Sequence, residues 1–183
     1  MRSRIIGIAV LIALVGIIYL YGDNQRSFPT PLEAINHETE DKEWIAVKEV
    51  ISSSKVNNHA DYFYITKSDN IVAVQLSKGL FGWRFDSYIT GSGLNINHKI
   101  SEPINGYTRA GDLVFGLATE QVDRIEVNNI QAILIPLDFY IQSKEIKGKK
   151  LWYVHIKTNT GKIFGIRAYD KSNKKLYDNP WKQ

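Results

Sequence analysis

The chain opens with an unbroken apolar run from Ile5 to Tyr21, preceded by Arg2 and Arg4 and followed by polar residues. As a helix this run is roughly 25 Å long, enough to cross the hydrocarbon core of a bilayer with little to spare. It is longer than most signal-peptide cores, and no A-x-A pattern follows it. Tyr19 and Tyr21 stand at its far end, where amphipathic rings settle at headgroup level, and the two arginines keep Met1 on the cytoplasmic side. Leu14-Val15-Gly16 has the form of a lipoprotein cleavage box, but Ile17 occupies the place that cysteine must take. The pattern predicts a signal anchor over residues 1–22, a linker over 23–30 and an extracytoplasmic domain over 31–183. Secretion after cleavage is the alternative. Membrane lipid, met through Ile5 to Tyr21, is the first expected partner.

Beyond the anchor, "FPTPLEAI" predicts a short helix, because Thr30 can cap it, Pro31 suits its first position and Glu33 completes a capping box. A second helix is expected from Asp41 to Ser52, where Trp44, Val47 and Ile51 recur at helical spacing. From Asp61 onward the period changes to two. "YFYIT" and "IVAVQL" flank Lys67 to Asn70 as a hairpin, and "WRFDSYI" alternates Trp83, Phe85 and Ile89 against Arg84, Asp86 and Tyr88. "DLVFGL" and "RIEVNNIQAILIPLDFYI" continue the series, with Asn128-Asn129 suited to the positive φ angles of a tight turn. In the latter, Ile133, Ile135, Leu137, Phe139 and Ile141 alternate, and Pro136 places the strand at an edge or a bulge. "LWYVHIK" and "IFGIRAY" enclose Thr158 to Gly161 as a last hairpin, directing Trp152, Val154 and Ile156 inward. Thr90 to Gly111 reads as a long connection, either a binding loop or a structural connector, with a small strand at Asn95 to Ile100. The expected fold is therefore α+β and mainly β: a transmembrane helix, one or two short helices, then an antiparallel sandwich- or barrel-like domain of about eight strands.

Charge and composition refine this picture more than they change it. Residues 23–70 carry five Lys/Arg against nine Asp/Glu, whereas residues 142–183 carry eleven against three, so the basic end is C-terminal. Such an end reads first as a solvated sheet face with a lysine-rich tail, and otherwise suits an anionic surface such as lipid headgroups or wall polymers. The chain has no cysteine, which removes disulfides, thiolate metal sites and thiol nucleophiles. The four histidines stand singly, without paired ligand spacing, and the sequence predicts neither a metal nor a cofactor. His155 shares a strand face with Tyr153 and reads as structural.

Ser52 and Lys55 stand in S-x-x-K spacing, and Ser68 to Asn70 read S-D-N, as in penicillin-recognising serine enzymes. The two elements lie too close together for the helical domain those enzymes place between them. Asp86, Glu102, Asp112 and Asp138 could pair for glycoside cleavage only if the fold brought two of them together. "RAYDKSNKKLYDNPW" mixes basic and aromatic residues as nucleic-acid sites do, but the expected location outside the membrane argues for polysaccharide over nucleic acid.

"KGLFGWRF", with Gly79 and Gly82 framing Leu80 and Phe81, is the most distinctive stretch and the first candidate interface if Phe81 is exposed beside Arg84. The weaker candidate binding residues are Phe81, Trp83, Arg84, Tyr88, Tyr107 and Arg109. No catalytic residue is assigned. The basic residues before the anchor, "FPTPLEAI", "GLFGWRF" and "FGLATEQVDRIEVNN" together resemble small membrane-anchored extracytoplasmic proteins of Gram-positive bacteria, in which a β-rich domain follows the anchor. The resemblance implies location and fold and brings no catalytic residue with it. The leading expectation is a non-enzymatic envelope protein that binds a protein partner at the membrane surface. A wall-polymer or carbohydrate-binding module is the alternative, and an envelope hydrolase comes third.

Overall fold

The computed structural model describes residues 2–91, 94–140, 146–156 and 165–180, with the side chains of residues 2–7, 9 and 180 outside that set. Helix α1 (Arg2–Gln25) carries the apolar run. Among the described residues no helix is long and apolar enough to cross a membrane; the expected run from Ile5 to Tyr21 begins on side chains outside that set. Helix α2 (Pro31–Thr39) starts as its capping box dictates: Glu33 N donates to Thr30 Oγ1 at 3.2 Å, and Thr30 N donates to Glu33 Oε2 at 3.1 Å.

The expected helix from Asp41 to Ser52 does not form. Turns occupy that stretch as far as Trp44 and Ile45, and strand β1 (Val47–Val56) follows. Val47, Val50, Ile51 and Val56 are β-branched, and a partner strand, β2 (His59–Thr66), is at hand to pair with them. With β3 (Ile71–Lys78) and β4 (Trp83–Ile89) these strands form an antiparallel meander in the order β1-β2-β3-β4. Asn57 and Asp69 supply positive φ at its first two turns, the second of them at the expected hairpin.

The strand over "WRFDSYI" forms, but not with the expected faces. Its register on β3 shifts between Gln75 and Leu76, so that Leu76 meets Phe85 and Gln75 meets Ser87 while Asp86 is extra. That bulge reverses the alternation. Trp83 and Phe85 pack outward with α2, whereas Ile89 packs on the opposite side of the sheet.

The stretch read as a connection from Thr90 to Gly111 hides β5 (Ile104–Ala110). Its polar composition and a second bulge, between Asn105 and Tyr107 with Gly106 at φ +60°, mask the period. The small strand expected at Asn95 to Ile100 reduces to one bridge between Asn95 and Asn70. β5 pairs with β6 (Leu113–Ala118). Next come β7 (Arg124–Val127) and β8 (Ile130–Gln131), joined by Asn128 and Asn129 at φ +52° and +64° as their sequence requires. In β9 (Ile133–Pro136) the strand stops at the proline, and a 3₁₀ turn over Leu137–Phe139 buries Leu137 but leaves Phe139 exposed. Leu137 and Phe139 therefore do not extend the strand. The edge position expected for Pro136 holds, because the second sheet runs β5-β6-β10-β9 with β10 (Lys150–His155) inside it. The third sheet runs β12-β11-β7-β8, with β11 (Gly165–Tyr169) and β12 (Lys175–Pro180). Ile141 and the turn expected at Thr158 to Gly161 lie outside the described residues, but the hairpin expected around that turn does not form, because β10 pairs with β6 and β9 while β11 pairs with β7 and β12 in another sheet.

The described residues thus form twelve strands in three antiparallel sheets, a mainly β fold with a short helix on one side. The packing is layered. α2 covers the first sheet through Ala34, Ile35, Tyr64, Val72 and Leu76, and the other face of that sheet meets the second through Phe63, Ile65, Phe115 and Tyr153. The second sheet meets the third through Trp152, Val154, Ile125 and Ile166. Covered on both faces, all six residues of β6 are buried.

Candidate functional site

The β3–β4 turn is built by its two glycines. Gly79 N donates to Gly82 O at 2.8 Å, closing a tight loop around Leu80 and Phe81. Gly82 sits at φ +143°, and a Cβ there would stand 2.3 Å from the Phe28 carbonyl oxygen, so no other residue fits without moving backbone. That close approach exists because the segment after α1 docks on this turn. Phe28 N donates to Trp83 O at 2.9 Å and Trp83 N to Phe28 O at 2.7 Å.

Asp23, in the last turn of α1, receives a hydrogen-bonded ion pair from Arg84. A carboxylate at a helix C-terminus faces the negative end of the helix dipole, and the guanidinium offsets that repulsion. The Asp23 side chain is only 5% exposed. Helix and domain are therefore joined through residues 23–28, within the stretch 23–30 expected to be a linker. At the tip of the turn Leu80 is 83% exposed and Phe81 45% exposed.

The sequence-predicted residues separate on this scaffold. Phe81, Trp83 and Arg84 come together at the helix base, but Trp83 is buried, with Lys55 Nζ and Lys78 Nζ 5.5 and 5.9 Å from its ring. Tyr88 lies about 16 Å along β4 by strand rise, half-exposed, its ring edge-on to Trp44 with centroids 5.3 Å apart. Tyr107 and Arg109 belong to another sheet. Tyr107 packs against the Trp152 layer, and Arg109 Nε donates to Gly111 O at 2.9 Å, holding its own turn.

A second site was foreshadowed in the sequence only by the condition that two of Asp86, Glu102, Asp112 and Asp138 be brought together, and Asp86 and Asp112 do line one cleft. Where the first and second sheets part, His59, Asp61, Gln75, Asp86, Asp112 and His155 line a cleft of about 450 Å³. His155 Nε2 lies 3.3 Å from Asp61 Oδ2, and its Nδ1 lies 3.6 Å from Asp112 Oδ2. Gln75 Nε2 donates to Asp61 Oδ1 at 3.2 Å, and Ser77 Oγ donates to Asp86 Oδ1 at 2.8 Å. The Asp61 carboxylate beside Nε2 is the largest of the influences that hold the His155 pKa above its ordinary value; burial opposes it and Asp112 adds to it. The Nε2 contact is a close ionic approach without hydrogen-bond alignment. Burial likewise pushes the Tyr64 phenol up, beneath α2, and the Tyr153 phenol, between the sheets.

The legible signal for the cleft is that Asp61 and Gln75 occupy the inward positions of β2 and β3, in line with Phe63 and Ala73. A polar residue on a core-facing row needs a partner, and here the partners come from the second sheet. Of the three cleft carboxylates, Asp61 and Asp112 lie against the imidazole and Asp86 accepts from Ser77, so each already has a partner. Among the described residues no three His, Asp or Glu side chains are grouped to hold a metal ion. No family model matches the chain, and neither a curated protein nor a solved structure is significantly similar to it.

Proposed function

We propose that the chain is a single-pass membrane protein of the cell envelope, with Met1 cytoplasmic and the β domain outside, which binds a protein partner close to the membrane surface without catalysing a reaction. The observation that carries this reading is the Trp44–Tyr88 pair. Trp44, in the turn before β1, is 49% exposed, and Tyr88 is 41% exposed on β4, an edge strand whose other end is locked to α1. Large aromatic side chains that leave this much area in water are the residues that dominate binding at protein interfaces. The position of Tyr88 on β4, with Trp44 against it, keeps the partner within a strand length of the helix.

The test is a photo-reactive amino acid placed at Tyr88 in the full chain, irradiated in cells. A discrete adduct that recurs between preparations and disappears on Trp44→Ala is expected. A label that reacts only with lipid or solvent, or an adduct indifferent to Trp44→Ala, would rule out this face as the interface.

A wall-polymer reading draws on the exposed Lys171, Lys174 and Lys175 between and within β11 and β12. It is the weaker one, because the neighbouring Tyr169 ring is already covered by the Arg124 guanidinium, 3.9 Å from its centroid, and Lys175 is paired with Asp178. Sedimentation of the protein with purified cell walls at low salt, abolished by neutralising those lysines, would reinstate it.

A further inference from the structure

The β3–β4 turn has features that partner binding at Trp44 and Tyr88 does not use. In a meander, the β1–β2 and β3–β4 turns lie at the same end of the sheet, and Lys78 N donates to Asn58 O at 2.7 Å across them. That end presents three exposed apolar side chains, Val56 at 62%, Leu80 at 83% and Phe81 at 45%, with Lys55 and Lys78 beside them. Isolated exposed apolar residues need no explanation, but a group of three at one end, flanked by lysines, does. Its position relative to α1 supplies the explanation. The Cβ that Gly79 lacks would lie 3.1 Å from Asp23 Oδ2, so the turn abuts the last turn of the helix.

We propose that Leu80 and Phe81 are a second membrane contact: the tip of the β3–β4 turn lies in the headgroup layer of the bilayer that α1 enters, with Lys55 and Lys78 against anionic lipid phosphates. The inference rests on the reading of α1 as an anchor. Distances along the chain carry it on that reading. Tyr21, an interfacial residue, is two residues from Asp23, about 3 Å along a helix axis, and Leu80 is one residue from Gly79, about 3.8 Å away. The interfacial zone on each side of a bilayer is roughly 5 to 8 Å deep. A leucine and a phenylalanine within that zone bury apolar area in lipid, and lysines near it gain from an anionic surface. The Asp23–Arg84 pair and the Phe28–Trp83 bridge then hold the domain in one orientation on the membrane, with α1 and the turn as two points of support.

Because the chain has no cysteine, a single introduced one is the only thiol. The full chain would be reconstituted in phosphatidylglycerol–phosphatidylethanolamine vesicles with one nitroxide at Leu80→Cys, Ile12→Cys or Ser172→Cys, and relaxation by dissolved oxygen compared with relaxation by an aqueous nickel chelate. The expected result is an oxygen-to-nickel ratio at 80 several-fold above that at 172 and below that at 12, falling when Lys55 and Lys78 are both changed to glutamate. A ratio at 80 equal to that at 172, with 12 still reporting lipid, overturns the contact and leaves the anchor standing. An aqueous value at 12 overturns the anchor and the contact with it.

Discussion

At the end of the first sheet nearest α1, Arg84 meets Asp23; between the first and second sheets, His155 of β10 stands between Asp61 of β2 and Asp112. Both regions pair a cation with a carboxylate, but their surroundings differ. The Asp23 side chain is 5% exposed and has a dedicated guanidinium, so removing the cation would strand a charge away from water. The His155 and Asp112 side chains are 32% and 50% exposed, so water and a second carboxylate share the work there. The first region acts as a joint between two parts of the chain. The second acts as a titratable contact between two sheets, and what distinguishes them is burial rather than residue type.

Three substitutions press on that comparison. Arg84→Ala should have the largest effect, about 3 kcal/mol against docking of the helix end on the domain, read as faster hydrogen exchange at the Phe28 and Trp83 amides. The double change Asp23→Ala with Arg84→Ala should recover most of that loss, because no unpaired charge is left behind. If single and double variants exchange alike, the joint does not depend on the ion pair.

Gly82→Ala follows, at about 2 kcal/mol, since the new methyl meets the Phe28 carbonyl and the backbone stands at φ +143°. Gly22→Ala, where a Cβ would meet nothing, is its control and should be silent.

His155→Gln is the smallest, under about 1 kcal/mol for a partly exposed ion pair. Its signature is in pH. A histidine whose folded pKa is raised adds stability that is fully present below its unfolded pKa of about 6.5 and is lost as pH rises through the folded value. Denaturation midpoints should therefore fall over that interval in the wild type and be flatter in His155→Gln. Asp61→Asn should bring the His155 titration, followed by NMR, back toward its ordinary value. A wild-type profile no steeper than that of the variant would show that the cleft does not couple protonation to folding.

Legibility in the sequence tracked how local each decision was. The α2 start and the Asn128–Asn129 turn were readable because a capping box and two positive-φ asparagines act within a few residues of themselves. Asp41 to Ser52 misled because Trp44, Val47 and Ile51 fit a helical spacing that their β-branched neighbours oppose, and a pairing partner in β2 settled the contest. The β4 bulge at Asp86 and the β5 bulge at Gly106 broke the period on which face assignments depend. Of the candidate site, the exposed tip at Leu80 and Phe81 could be anticipated from the two glycines. The role of Asp23 could not, because it is 61 residues from its partner.

By itself, the sequence determined the apolar helix, the two-residue period of much of the domain and the turns at 67–70, 79–82 and 128–129, since each is a property of a short window. Tertiary structure alone decided that three sheets stack with the second buried on both faces, that Asp23 and Arg84 join helix to domain, and that His155 finds two carboxylates. Those arrangements depend on groups far apart along the chain, and only burial gives their meeting its energetic weight.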